Sequence, residues 1–430
     1  MNILPVVHCV DTEGPLNETE RDTWKRVKDL IGGEYKVNFI EKILSGDLDK
    51  HQNIEKIKSI INKRTMNYIR DLNEHHKMLD VIFSDQFRKK FNDDFGSSYK
   101  FSWFIVDHID YDSDDRDKFM GRHAIYDLFD KRNSQLEHFG DSLEFHFHSN
   151  PPSRHSSHSN TFWLRDEKIH RVVLGRLIDR NFFPIVNRPG FHSVSPDSHW
   201  FQESFIPFEF ANQSLARLAP DRWSDWSRAP KTWVPYHPSH DDYQAPGQCR
   251  RRIGTCLNIG TRHSEISEEH IEFAFEELLE DKNVVLSVNN HDFRDMRYDT
   301  EWLHNSLTKI SKKYKQVKFM YCNARQALNF CIMPNQVHRF MFSWKNSGRV
   351  TTLNLESPRD IFGPQPFFGY KSNDGRYIYD NMQIKVPFRK WAYVFDEQSM
   401  PLHLIETVAF AANYTDGNQS QEVIRVSNMN

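Results

Sequence analysis

Cysteine is scarce in this chain of 430 residues: Cys9, Cys249, Cys256, Cys322 and Cys331 are scattered and form no C-x-x-C pair. An odd, unpaired set excludes a disulfide framework or a zinc knuckle and predicts reduced thiols. Long apolar runs are also missing, and no stretch approaches the roughly 18 apolar residues of a membrane helix. Nor is there an excess of one charge. Lys and Arg number 56 against 59 Asp and Glu, a formal charge of −3, which gives no electrostatic reason for a nucleic-acid or membrane-surface partner. The N-terminus lacks the signature of a secretory leader, because its first apolar run passes straight into acidic turn chemistry. A cytoplasmic location is the expectation. No internal repeat or low-complexity tract interrupts the chain.

What is present is a polar chain with 27% charged residues and abundant Phe, at 33. Its length predicts two or three domains. Apolar runs of strand length recur near positions 3–12, 101–106, 142–147, 182–186, 206–211, 253–259, 284–288 and 317–321. Between most of them lie segments of helical period, about 122–139, 162–180, 267–279 and 302–314. That alternation is the signature of a mostly parallel sheet or barrel. Two regions depart from it. From Leu16 to about Ser98 the chain is lysine-rich, with Val37, Ile40, Ile43 and Leu44, then Ile54, Ile57, Ile60 and Ile61, then Met66, Ile69 and Leu72 at helical spacing. This reads as a helical insertion between the first two core strands. Past about Pro334, short β-type runs between turn residues predict a small antiparallel β-sandwich. The expected division is therefore 1–333, with the insertion over about 16–98, and 334–430.

Polar clusters stand at the ends of the apolar strands. The first strand ends in Asp11-Thr12-Glu13-Gly14-Pro15. Residues two apart on a strand share a face, so both carboxylates project into one cleft unless they merely cap the next helix. His146 and His148 repeat that spacing after Leu143-Glu144-Phe145. Two neutral imidazoles and a carboxylate make a three-ligand metal site with an open position for water. The alternative is a pair of surface histidines, and with 22 histidines chance pairs occur. Arg188, at a strand end before Pro189-Gly190, is either a solvated turn residue or the partner that keeps Asp11 ionised. His291 follows Val284–Val288 and is a candidate general acid, or part of a helix cap. The orienting carboxylate for His291 is expected at Asp295 or Asp197, and such a pairing is expected to raise the His291 pKa. The Trp- and Pro-rich stretch from Ala216 to about Arg250 reads as an ordered loop. Within it Trp233, Tyr236 and His237, with His192 nearby, read either as packing or as the rim that meets a sugar ring.

Taken in order, Asp-x-Glu-Gly, Glu-x-His-x-His, Arg-x-Gly, Pro-Tyr-x-Pro-Ser and His-Asp-x-Arg resemble the polysaccharide deacetylase superfamily, the NodB-homology proteins of carbohydrate esterase family 4. The resemblance covers about residues 1–330 apart from the insertion. It implies an α/β fold, a distorted (β/α)7 barrel, and one divalent metal, most often zinc. It also implies removal of N- or O-acyl groups from amino sugars. Carried over, Asp11 is the base, Glu13 and His146 are metal ligands, Arg188 holds the base and His291 is the acid. Trp233, Tyr236 and His192 would line the substrate site. The family's second motif usually spaces its histidines four apart, but position 150 is Asn150, so His148 takes the second imidazole's place. The expected substrate is an N-acetylated amino-sugar precursor or glycan in cell-surface polysaccharide biosynthesis, and the expected cytoplasmic location favours a nucleotide- or lipid-linked precursor over finished polymer. An amidohydrolase-type C–N hydrolase also places His-x-His at a strand end, but on its first barrel strand. A carbohydrate-binding protein on the same fold is the non-enzymatic alternative.

Overall fold

Strand β1, Asn2–Thr12, is long and buried along most of its length, and the sheet is built around it. The computed structural model describes residues 2–16, 20–46, 50–61, 68–69, 71–107, 124–149, 163, 168–216, 225–260, 265–280, 282–332 and 338–428. Parallel to β1 lie β2 (Ser102–Asp107), β3 (Ser142–Phe147), β4 (Val186–Pro189), β5 (Phe208–Asn212), β6 (Arg252–Thr255), β7 (Leu257–Asn258), β8 (Leu286–His291) and β9 (Val317–Cys322). The order is β6-β5-β4-β3-β2-β1-β8-β7. Because β6 and β7 are successive pieces of one run, β6 pairing with β5 and β7 with β8, the sheet nearly closes into a parallel barrel. β9 pairs with the N-terminal half of β1, from Asn2 to Val7, while β2 pairs with its C-terminal end from Cys9. Strands covered on both faces are near-continuous apolar runs, and β1 and β2 fit that rule.

The insertion divides into two parts. Helices Glu20–Ile31, Phe39–Leu44 and Ile54–Ile60 bury Val27, Phe39, Ile43, Ile57 and Ile61 in a small core of their own. Helix Leu72–Ile82 sends Met78, Leu79 and Ile82 into the main barrel core. Arg88 fastens this part. Its buried guanidinium donates to Ile82 O, Tyr99 O and both oxygens of Asp141. The apolar spacing did not define one face throughout: Val37, Leu44 and Leu72 are 68%, 46% and 41% exposed. Met66 lies outside the described residues, as do positions 150–160 of the stretch from His148 to Asn160, whose prolines, serines and histidines read as a loop. The helix expected over about 122–139 is two, Ala124–Asp130 and Asn133–Phe139.

The C-terminal part consists of two antiparallel sheets. One has the order β10-β11-β15-β14, from Met341–Ser347, Val350–Glu356, Lys390–Phe395 and Gln383–Val386. The other has the order β13-β12-β16-β17, from Tyr377–Asp380, Phe367–Ser372, Ile405–Asn413 and Gln419–Arg425. Leu353, Leu355, Trp391 and Phe395 share a buried cluster with Phe368, Tyr370, Val408 and Phe410. The second sheet is also docked on the barrel. Phe367, Ala409 and Ala411 pack with Ile169, Leu174 and Leu177 of helix Lys168–Arg180. Asn413 Nδ2 donates to Pro184 O at 2.7 Å and Phe205 O at 2.8 Å. Among the described residues no helix is long and apolar enough to cross a membrane.

Candidate metal centre

Sheet register assembles the site. Asp11 lies opposite His291 across β1–β8, Val106 opposite His146 across β2–β3, and His146 opposite Arg188 across β3–β4. Four chemically active residues therefore meet at the C-terminal ends of neighbouring parallel strands, where α/β folds gather their ligands. Glu13, two residues past Asp11, joins them from the turn that leaves β1.

Asp11 is gripped by Arg188 in a two-pronged pair, Nε to Oδ1 at 2.6 Å and Nη2 to Oδ2 at 2.9 Å. Asn289 Nδ2 adds a third donor at 3.1 Å. Burial alone would raise the carboxyl's pKa, but the Arg188 guanidinium and the neighbouring histidines outweigh it and hold Asp11 well below the usual range. It stays an acceptor at any working pH. Arg188 is itself fixed from behind by Phe210 O at 3.2 Å and Cys256 Sγ at 3.3 Å.

His146 Nδ1 donates to Arg188 O at 2.7 Å, which turns the lone pair of Nε2 outward. His148 Nε2 lies 2.9 Å from that Nε2, its ring nearly perpendicular to the first. Glu13 Oε1 is 4.0 Å from His146 Nε2 and 3.8 Å from His148 Nε2. Glu13, His146 and His148 are all buried, and their ligand atoms form one compact group. A tetrahedral ion with ligand bonds of about 2.0–2.2 Å sets its ligand atoms roughly 3.4 Å apart. The three residues fit such an ion with small side-chain adjustments.

The turn after β4 presses against His148. A Cβ on Gly190 would meet the His148 ring at 2.6 Å, so only glycine fits there. Phe191 stands edge-on to His148 at 4.8 Å between ring centroids. Phe191 and His192 both take left-handed backbone angles, φ 55 and φ 52, a costly conformation for two consecutive non-glycine residues. The reversal brings His192 Nε2 to 3.1 Å from Arg188 Nη2 and from Asn258 Oδ1.

His291 Nε2 is 3.7 Å from Asp11 Oδ2 and 3.9 Å from Glu13 Oε1. These are the carboxylates that face it. The expected partners are engaged elsewhere: Asp295 caps helix Met296–Ser311 and pairs with Arg297, and Asp197 accepts from the backbone of Ser198. The His291 pKa is lowered, not raised, because burial outweighs both carboxylates.

Trp233 and Tyr236, expected on the substrate rim, are spent inside the fold. Trp233 is fully buried in the barrel core, its indole N–H donating to His270 O. Tyr236 packs with Trp226 and Ile253, and its hydroxyl donates to Tyr243 O at 2.6 Å. The aromatic character of these two positions reflected packing. His237, held by Cys249 O and Arg251 O, belongs to that loop's own hydrogen bonding.

The sequence reading missed Asn289, Asn258, Cys256 and His75, and gave no role to Asp292, the Asp of His-Asp-x-Arg. Asn289 had a legible signal, two residues before His291 on the same strand face. Asp292 accepts from the backbone N–H of Glu13 at 2.7 Å and of Gly14 at 3.0 Å, and from His75 Nε2 at 2.8 Å. Nothing in the sequence separates His75 from the other histidines. Comparison with known protein families and with curated proteins finds no match.

Proposed function

We propose that this protein is a metal-dependent hydrolase of the polysaccharide deacetylase (NodB-homology) type, which removes an acyl group, N-acetyl first among them, from an amino-sugar precursor or glycan. What carries the reading is one convergence. The Asp11–Arg188 pair, the Glu13–His146–His148 group and His291 lie within 4.0 Å of their neighbours at the mouth of a parallel barrel. That is the set of groups amide hydrolysis needs. A divalent ion, zinc by the ligand chemistry, would supply Lewis acidity for water and oxyanion, a contribution typically worth roughly 3–4 kcal/mol.

The chain's own residues do the rest. Glu13, His146 and His148 would hold the ion. Asp11, kept ionised by Arg188, takes a proton from the attacking water as the water oxygen bonds to the acyl carbon. His291, neutral at rest because of its burial, stands 3.7 Å from Asp11 Oδ2. It receives that proton at Nε2 and delivers it to the departing amine as the C–N bond breaks. One proton passes through the pair, and both regain their starting states. His192 Nε2 lies 3.1 Å from Arg188 Nη2.

The test is acetate release from N-acetylated amino sugars, free, nucleotide-linked and polymeric, by zinc-loaded protein, with zinc content measured in parallel. The expected outcome is one zinc per chain and acetate from at least one class. In His146→Ala, zinc should fall well below one per chain. A full zinc load in that variant overturns the centre, and zinc without acetate release from any class overturns the deacetylase reading.

A further inference from the structure

We infer that the helical insertion positions the metal carboxylate: His75 holds Asp292, and Asp292 holds the Glu13–Gly14 backbone. This rests on the metal-centre reading above and adds a residue from outside the barrel to it.

The chain of contacts is short. His75 and Asp292 are both fully buried, and their side chains meet at 2.8 Å. One oxygen of Asp292 takes the Glu13 and Gly14 amides, at 2.7 and 3.0 Å, while the other takes the His75 imidazole. Asp292 N in turn donates to Asp11 O at 3.3 Å. A fully buried carboxylate is costly unless its lone pairs are satisfied. His75 completes that set, and Gly14 supplies the left-handed turn, φ 72, that aims two successive amides at one acceptor.

A second strip of the insertion, Tyr68 and Ile69, is anchored to the same two segments. Leu16 N donates to Ile69 O at 2.9 Å, and Ile69 N donates to Phe293 O at 2.7 Å. Tyr68 bridges to Arg294 and stands edge-on to Phe293. Residues 68–69 thus lie between the turn that carries Glu13 and the segment that follows His291. A helix that only covered the barrel would not need a histidine aimed at this carboxylate. Asp292 is one bond removed from the ligand residue, and partners of that kind typically govern metal affinity by about 10–100-fold; His75 acts through Asp292.

The experiment measures zinc affinity by competition with a chromophoric chelator in His75→Ala, His75→Gln and Met78→Ala. Met78 is buried on the same helix and packs into the barrel core. It therefore reports on loosened packing alone. Expected are at least a tenfold weakening in His75→Ala, near-native affinity in His75→Gln, whose amide N–H still reaches Asp292, and near-native affinity in Met78→Ala despite a lower melting temperature. Hydrogen exchange of residues 9–16 in metal-free protein is the second readout. The Glu13 and Gly14 amides should exchange faster in His75→Ala than in Met78→Ala. Unchanged affinity in His75→Ala, or equal weakening in Met78→Ala, overturns the inference. Wild-type protein that binds no zinc overturns the metal centre instead, and the exchange measurement then decides the positioning role by itself.

Discussion

At the residue scale the two carboxylates of β1 differ by what surrounds them. Asp11 has three nitrogen donors fixed on its oxygens, while Glu13 faces three imidazole nitrogens at about equal range, those of His146, His148 and His291. A carboxylate saturated by a guanidinium is poorly placed to be a primary ligand, whereas one facing imidazole lone pairs suits an ion between them. Asp11→Asn should therefore keep its zinc and lose nearly all turnover. Glu13→Gln should lose zinc at least tenfold more readily. Metal analysis and acetate release on both variants check this, and the opposite pattern would exchange the two roles.

At the scale of the element, β1 shows how one strand serves two purposes. Its C-terminal end carries the chemistry, and its middle buries His8 against the Tyr99 hydroxyl, 2.6 Å from Nδ1, and the ring of Phe101. Burial pushes the His8 pKa down to about 3. The folded value is depressed below the unfolded value of about 6.5, so between the two the unfolded chain binds more protons. This contribution to stability is complete above pH 6.5 and is lost as pH falls toward 3, on the order of 3 kcal/mol between pH 7.5 and 4.5. Urea unfolding at those two pH values should show a smaller difference in His8→Gln than in wild type. Equal differences would mean that His8 does not carry the acid sensitivity.

At the scale of the whole molecule, the C-terminal sheets are less independent than their sequence implied. They have a core of their own, yet one sheet's outer face covers Leu174, Phe183 and Phe205 of the barrel, all buried. A chain truncated after Ile332 would expose these three side chains at roughly 1.5–3 kcal/mol each. At about 1.4 °C per kcal/mol for a barrel of this length, the barrel's melting temperature should fall by roughly 6–13 °C. Differential scanning calorimetry with size-exclusion chromatography reads the loss and any aggregation. A truncated chain that melts like wild type would show the two parts to be separable.

The sequence by itself determined whatever follows from period and local order. β1, β2, β3, β8 and β9 were legible as apolar runs, because strands buried on both faces have little room for polar residues. Asp11 with Glu13 and His146 with His148 were legible as pairs because strand geometry puts i and i+2 on one face. The tertiary structure alone decided which side chains meet across strands. Asp11 meets Arg188 through the register of four strands, and that pairing, not the residue type, sets its charge. Burial reversed the expected direction of the His291 pKa, since a local sequence does not reveal how much water surrounds a ring. It also took Trp233 and Tyr236 into the interior, because an aromatic-rich loop reads the same whether it packs or binds. His75 reaches Asp292 across more than two hundred residues, a contact that the docking of a whole helix creates and no local pattern encodes.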